Sequence, residues 1–305
     1  MNKKLIFYTV ALTAGLLTAC SSDDEQKQEA PVRHISVEVN QRPMTSDDEA
    51  GAPNLFTRSA ITTTEEFSAF SMRGIYNDAT SSYSVSRADV SAPWTVAPDT
   101  WPEDTYGNSA PDETKVPFYA FTQGEFQWNS SIPFISFTIP ENASTQYDLL
   151  VAKNNVAYSD HSGKVPLTFD HACAALAFNV FMSNTLSNKL AGKTLTVSSI
   201  VLRNVNNTGK YYFETAAWGD VSGSAYYTLN NSTMTIANTP QALSSNYLFV
   251  IPQSSEANGT TGTYLYVTYT FSGQTKTSAT IPLSVNWEAG KQYTINIKLG
   301  TTLIQ

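Results

Sequence analysis

Apolar and polar side chains alternate with a period of two along most of this chain, and almost nowhere with the 3.6-residue period of a helix. Ile35, Val37 and Val39 share one face of the stretch 34–39. The stretch 67–76 carries aromatics at both ends, and 116–121 reads Val-Pro-Phe-Tyr-Ala-Phe, with Pro117 suited to a strand start or an edge. Further strands are predicted at 134–139, 148–152, 195–205, 210–213, 247–251, 264–271, 277–283 and 292–299. Gly, Asn, Ser and Pro punctuate them, and Ser272-Gly273 looks like a hairpin tip. The one helix the pattern suggests is short, around 183–190. Many short strands at regular spacing predict an all-β fold of packed sandwiches. The 286 residues from Cys20 onward exceed what one sandwich needs, so two domains are expected. The polar, glycine-containing break at 159–164 sets their limits at 33–163 and 164–305.

The first twenty residues follow a different rule. Lys3 and Lys4 precede an apolar run from Leu5 to Ala19, too short to span a bilayer as a helix. A basic head, a short apolar stretch and small residues at its end make a secretory signal, assigned to residues 1–19. Leu17-Thr18-Ala19-Cys20 resembles the lipobox of bacterial lipoproteins. That resemblance implies cleavage before Cys20, acylation of its thiol and new amine, and a lipid anchor in the outer membrane. More than one acyl chain gives stable anchoring. Residues 20–32 then form a flexible linker, and its acidic start Ser21-Ser22-Asp23-Asp24-Glu25 resembles the tag of surface-exposed lipoproteins.

Composition narrows the partners. Without residues 1–19 the chain keeps 16 basic against 26 acidic side chains, a net charge of −10. No basic cluster is present to attract nucleic acid. With Cys20 taken by lipid, Cys173 is alone among Ala172, Ala174 and Ala175 and reads as a buried, inert thiol.

Catalytic chemistry finds no foothold. There is no nucleophile elbow, no His-Glu-x-x-His and no phosphate-binding glycine loop, and His34, His161 and His171 lack metal-ligand spacing. Asp170 and His171 are neighbours in a predicted strand and point to opposite faces, so His171 reads as structural. The acidic segment 99–113 lacks an ordered calcium-loop spacing and reads as a solvated loop. Trp101 and Tyr106 within it are the candidate aromatics for contacting a sugar, with Trp101 equally suited to plug a core. No enzyme activity, metal or cofactor is expected.

Several fragments match one family in order. Trp101-Pro102 followed by Val116-Pro117-Phe118-Tyr119-Ala120-Phe121 looks like its Trp-Pro … Phe-Tyr-Ala element. The run from Val165 through Phe169, His171 and Ala172 looks like the strand opening its second domain. Tyr211-Tyr212-Phe213 before Trp218, Phe249-Val250-Ile251-Pro252-Gln253, and Trp287-Glu288-Ala289-Gly290-Lys291-Gln292-Tyr293 continue the match. Arg58-Ser59-Ala60 resembles its N-terminal region. The chain thus resembles the fimbrillin-like subunits of Bacteroidetes type V pili.

The resemblance implies two tandem transthyretin-like Greek-key β-sandwiches, and a role in fimbriae for adhesion and biofilm formation. It also implies export as a lipoprotein and assembly with other fimbrial subunits. A surface protease cuts after an arginine, an N-terminal strand leaves, and a strand from another subunit fills the groove. Of three early arginines, Arg33 precedes the first strand, Arg42 is followed by Pro43, and Arg58 lies in a loop-like stretch. Arg58 is the candidate cut. Tyr293, Ile295, Ile297, Leu299 and Leu303 share one parity and form the candidate donor strand, unless 293–299 is the last strand of its own domain. The competing reading is a monomeric surface lipoprotein binding a glycan or a host or bacterial surface ligand through Trp94, Trp101, Tyr106 and Trp128.

Overall fold

The computed structural model describes residues 32–46, 67–129, 132–230, 232–243, 247–258, 261–278 and 280–304. The N-terminal half contributes β1 (Ser36–Gln41), β2 (Thr45–Ser46), β3 (Ala69–Tyr76), β4 (Ala79–Ser86), β5 (Thr95–Ala97), β6 (Val116–Phe121), β7 (Glu125–Asn129), β8 (Ile132–Thr138), β9 (Leu150–Val156) and β10 (Lys164–His171). Seven of these form one sheet in the order β1-β10-β9-β6-β3-β4-β5. Asn77 and Asp78, both at positive φ, close the tight β3–β4 turn, as a two-residue hairpin loop requires.

The rest of the chain supplies β11 (Ala174–Met182), β12 (Leu195–Val205), β13 (Thr208–Tyr212), β14 (Ala217–Ser222), β15 (Ala225–Asn230), β16 (Met234–Thr235), β17 (Gln241–Ala242) and β18 (Leu248–Val250). It continues with β19 (Gln253–Ser255), β20 (Tyr264–Phe271), β21 (Gln274–Thr277), β22 (Ile281–Pro282), β23 (Val285–Trp287) and β24 (Lys291–Leu299). One sheet runs β17-β11-β24-β2, with β18 also on β11, and another runs β15-β12-β20-β21. The helix forms at Asn184–Leu190, where the Ser183 side chain accepts the amide of Leu186 and caps it. Leu186 and Leu190 turn into the core beneath.

The fold is all-β, as the period-two pattern predicts. The expected limit at 163/164 does not separate the sheets. β10, which starts there, pairs with β9 and β1 of the N-terminal sheet. A four-stranded sheet, β14-β13-β8-β7, joins a hairpin from each half. The physical reason lies in β11. Ala174, Leu176, Phe178 and Val180 pack into the C-terminal core with Val197, Leu202, Tyr227 and Val267. On the other side Cys173 and Ala175 face a middle core with Tyr119, Ile135, Leu149 and Tyr211. Covered on both faces, this segment uses small side chains so that the layers can close. A third cluster, around Met72, Trp101, Phe118, Leu167 and Phe169, lies on the opposite face of the seven-stranded sheet.

Candidate functional site

The segment 33–46 joins two different sheets within a short stretch of chain. β1 runs parallel to β10, with Val37 opposite Val165 and Val39 opposite Leu167. After three intervening residues, β2 runs parallel to β24, pairing Thr45 with Lys291 and Ser46 with Gln292. Ile35 and Met44 are buried, in different clusters. Both β1 and β2 occupy sheet edges, so the segment covers backbone groups that would otherwise be open.

Polar groups fasten the same segment. The Arg42 guanidinium donates to both oxygens of Asp170, at 2.7 and 2.8 Å. Arg33 reaches Asp112 at 2.6 Å and donates to the carbonyl of Ala110. The amide of Trp101 donates to Arg33 O, and the amide of Ile35 to Asp99 O, each at 2.8 Å. The His34 ring lies 2.9 Å from Asp99. The acidic segment 99–113, expected as a solvated loop, therefore clasps the basic start of the first strand. Gly163 (φ +80°) permits one close approach: a Cβ there would sit 2.2 Å from His34 O.

Beneath β1 lies a buried polar pair. His171 and Asp148 are bonded through Nδ1 and Oδ2, with side chains 1% and 0% exposed. The Gln41 amide sits 3.1 Å from His171 Nε2. A Gln amide donating there places the imidazole proton on Nδ1, facing the carboxylate. Burial pushes the Asp148 carboxyl up, against the lowering effect of His171. Burial and the Asp148 charge push the neighbouring Cys173 thiol well above its ordinary value, so it is held neutral and inert. Sequence alone separates Asp170 from His171 onto opposite faces, which the structure bears out. It misses Asp148, 23 residues away, because nothing in the string links the two.

The other flagged residues scatter. Trp101 is 1% exposed and packs against Phe118 and Tyr158 at 5.3 Å, a core plug rather than a sugar platform. Tyr106 is 89% exposed on a turn held by Asp104, which accepts the amides of Tyr106 and Asn108. These bonds hold the Asp104 carboxyl below its usual range. The two aromatics do not form one surface. Trp94 and Trp128 are half-buried against core clusters. Trp101→Ala is expected to cost about 3–5 kcal/mol in urea unfolding, and Tyr106→Ala no more than about 0.5 kcal/mol. Equal effects would contradict this assignment.

Of the candidate donor residues, Tyr293, Ile295, Ile297 and Leu299 lie in β24, which pairs with β11 over eight positions from Gln292 to Leu299. Ile297 and Leu299 are buried in the C-terminal core, and Tyr293 and Ile295 pack partly against it. Leu303 lies in the short turn of helix Thr301–Ile304. Cys20 and Arg58 fall outside the described residues.

Three comparisons bear on identity. No curated protein matches the chain. Among solved structures, a fimbrial protein from Bacteroides vulgatus is similar over 88% of this chain and 95% of its own, with a TM-score of 0.55 and 16% identity. A candidate cell adhesion protein from Bacteroides uniformis gives a TM-score of 0.50 at 16% identity, over 88% of this chain and 95% of its own. Another, from Bacteroides ovatus, gives 0.50 at 12% identity, over 89% and 94%. At such identities the likeness is one of fold. Residues 109–305 match the fimbrillin-like family model, and with most of the chain so matched, this protein belongs to the fimbrillin-like family.

Proposed function

We propose that this chain is an adhesive or structural subunit of a cell-surface fimbria, exported as a lipoprotein through Cys20 and assembled by protease-triggered strand exchange. β11 packs into the C-terminal core on one face and borders the middle core through Cys173 and Ala175. The observation that carries this reading is the segment 33–46, which caps β10 and β24 at their edges and buries Ile35 and Met44. A cut after Arg58 would free it and leave a long apolar edge for another subunit's strand. Its partners are then other fimbrial subunits, and its location is the outer membrane surface and the fimbria.

One observation favours a narrower role. β24 is used inside the chain's own sheet, so donating it would strip the C-terminal core of Ile297 and Leu299. That supports a tip, anchor or accessory subunit that accepts a strand, or the alternative of a monomeric surface lipoprotein binding a glycan or host ligand. N-terminal sequencing and unboiled gels of protein from the cell surface test the reading. A start at Ser59 with heat-labile ladders is the expected result for an assembling subunit. A lipidated Cys20 on a lone monomer band would overturn strand exchange.

A further inference from the structure

A cleft of about 320 Å³ opens on the face of the seven-stranded sheet toward β13, lined among others by Arg42, Lys153, Thr168, Asp170, Tyr211 and Phe213. Its volume lies in the range of small-molecule sites, ~300–1,000 Å³. Its floor has a physical origin. β9 and β10 register at Leu150–His171 and Val151–Asp170, and no further pair forms between them. Pro166 has no amide to donate, and its carbonyl accepts the Asn154 side chain instead, at 2.7 Å. The ladder stops, and the cleft lies over the interrupted stretch.

The groups around it are fixed and electrically balanced. Arg42 is paired with Asp170, and Lys153 with Glu214. Glu214 also accepts the Tyr119 hydroxyl at 3.1 Å. Neither a free anion nor a free cation finds an unopposed charge. Tyr211 and Thr168, the latter at an exposed strand position, bring two hydroxyl-bearing side chains to the cleft lining. Tyr211 is 6% exposed, so its ring is fixed by packing, and burial with the nearby Asp170 charge pushes its phenol up to about 12.

We propose that this cleft is a saccharide subsite that takes an uncharged pyranose unit. Sugar hydroxyls both donate and accept. They can accept hydrogen bonds from Lys153 and Arg42, donate them to Asp170, and meet the Tyr211 and Thr168 hydroxyls without upsetting the charge balance. The inference rests on the adhesive reading of the chain and names the ligand class for it. Arg42 belongs to the segment that strand exchange would remove, so the subsite is complete only while that segment is in place.

The test uses the full chain in calorimetric and saturation-transfer NMR titrations with methyl glycosides of glucose, galactose, mannose and N-acetylglucosamine, beside acetate and inorganic phosphate. At least one glycoside is expected to bind with a Kd on the order of millimolar. Tyr211→Phe should weaken it roughly five- to tenfold, as the loss of one neutral hydrogen bond predicts. Tyr226→Phe, at a residue that does not line the cleft, should leave it unchanged. Should Tyr211→Phe melt early, Thr168→Val, at an exposed strand position, gives the same reading. No glycoside binding, equal affinity in these variants, or tighter binding of acetate or phosphate overturns the proposal. Fimbrial assembly is scored separately by heat-labile ladders, which the Tyr211→Phe protein should still form if the subunit reading holds.

Discussion

A chain lacking residues 33–46 is expected to lose its existence as a stable monomer. Ile35 and Met44 are buried, and each contributes about 1.5–3 kcal/mol. Val37 and Val39 add part of that again from half-buried positions. The Arg33, Gln41 and Arg42 contacts go with them. The total is comparable with the whole stability of an ordinary domain, about 5–15 kcal/mol. Two strand edges, on β10 and β24, would also be bared. Size-exclusion chromatography should find the shortened chain self-associated, and its urea midpoint should collapse. Adding a synthetic peptide of residues 33–46 should restore the monomer, because the edges it fits are unchanged. A shortened chain that stays monomeric with an unaltered midpoint would show that the segment merely decorates the surface, and strand exchange would lose its physical basis.

His171→Leu is the second large effect. It leaves the Asp148 carboxylate in the core without its partner, a loss of about 3–5 kcal/mol. The pH dependence has a definite sign. Without the imidazole, burial raises the Asp148 carboxyl in the folded state further above its unfolded value, so the folded chain holds the proton more tightly. The variant is then least impaired below the ordinary carboxylate range, about pH 4, and loses stability as pH rises through the raised folded value. Urea midpoints of wild type and variant should therefore converge on acidification. Asp148→Leu combined with His171→Leu should recover much of the loss at neutral pH, since an apolar pair carries no charge to strand. A uniform deficit at all pH values would mean that lost packing volume, not a stranded carboxylate, dominates.

Period-two alternation made much of the fold legible. Ile35, Val37 and Val39 face inward as the pattern predicts, and Ser272-Gly273, both at positive φ, turn β20 into β21. β4 carries little of the pattern because only Tyr83 and Val85 of Ala79–Ser86 point into the core, leaving Ala79, Thr80 and four serines. The polar break at 159–164 marks a surface turn, and a turn can stay within one sheet. Its next strand, β10, returned to the sheet it had left. Trp101 was ambiguous because a tryptophan in an acidic loop looks alike whether it plugs a core or greets a sugar. Only the packing of Phe118 and Tyr158 decides. The cleft residues come from β9, β10 and β13 and from the N-terminal segment, and their proximity is a product of topology with no local spacing to reveal it.

The two parallel pairings of the segment 33–46 also dictate an order of events. β1 waits for β10, and β2 waits for β24, nearly the length of the chain away. Contacts between such distant residues pay their loop-closure entropy before they return anything, so chains rich in them fold slowly. A polypeptide emerging N-terminus first therefore presents its first strand long before that strand has anywhere to go. Under the proposed export, such a chain would stay threadable while it crosses a membrane. The β2 pairing, which joins Thr45 to Lys291, would then be among the last contacts made and would follow the arrival of the C-terminal strand.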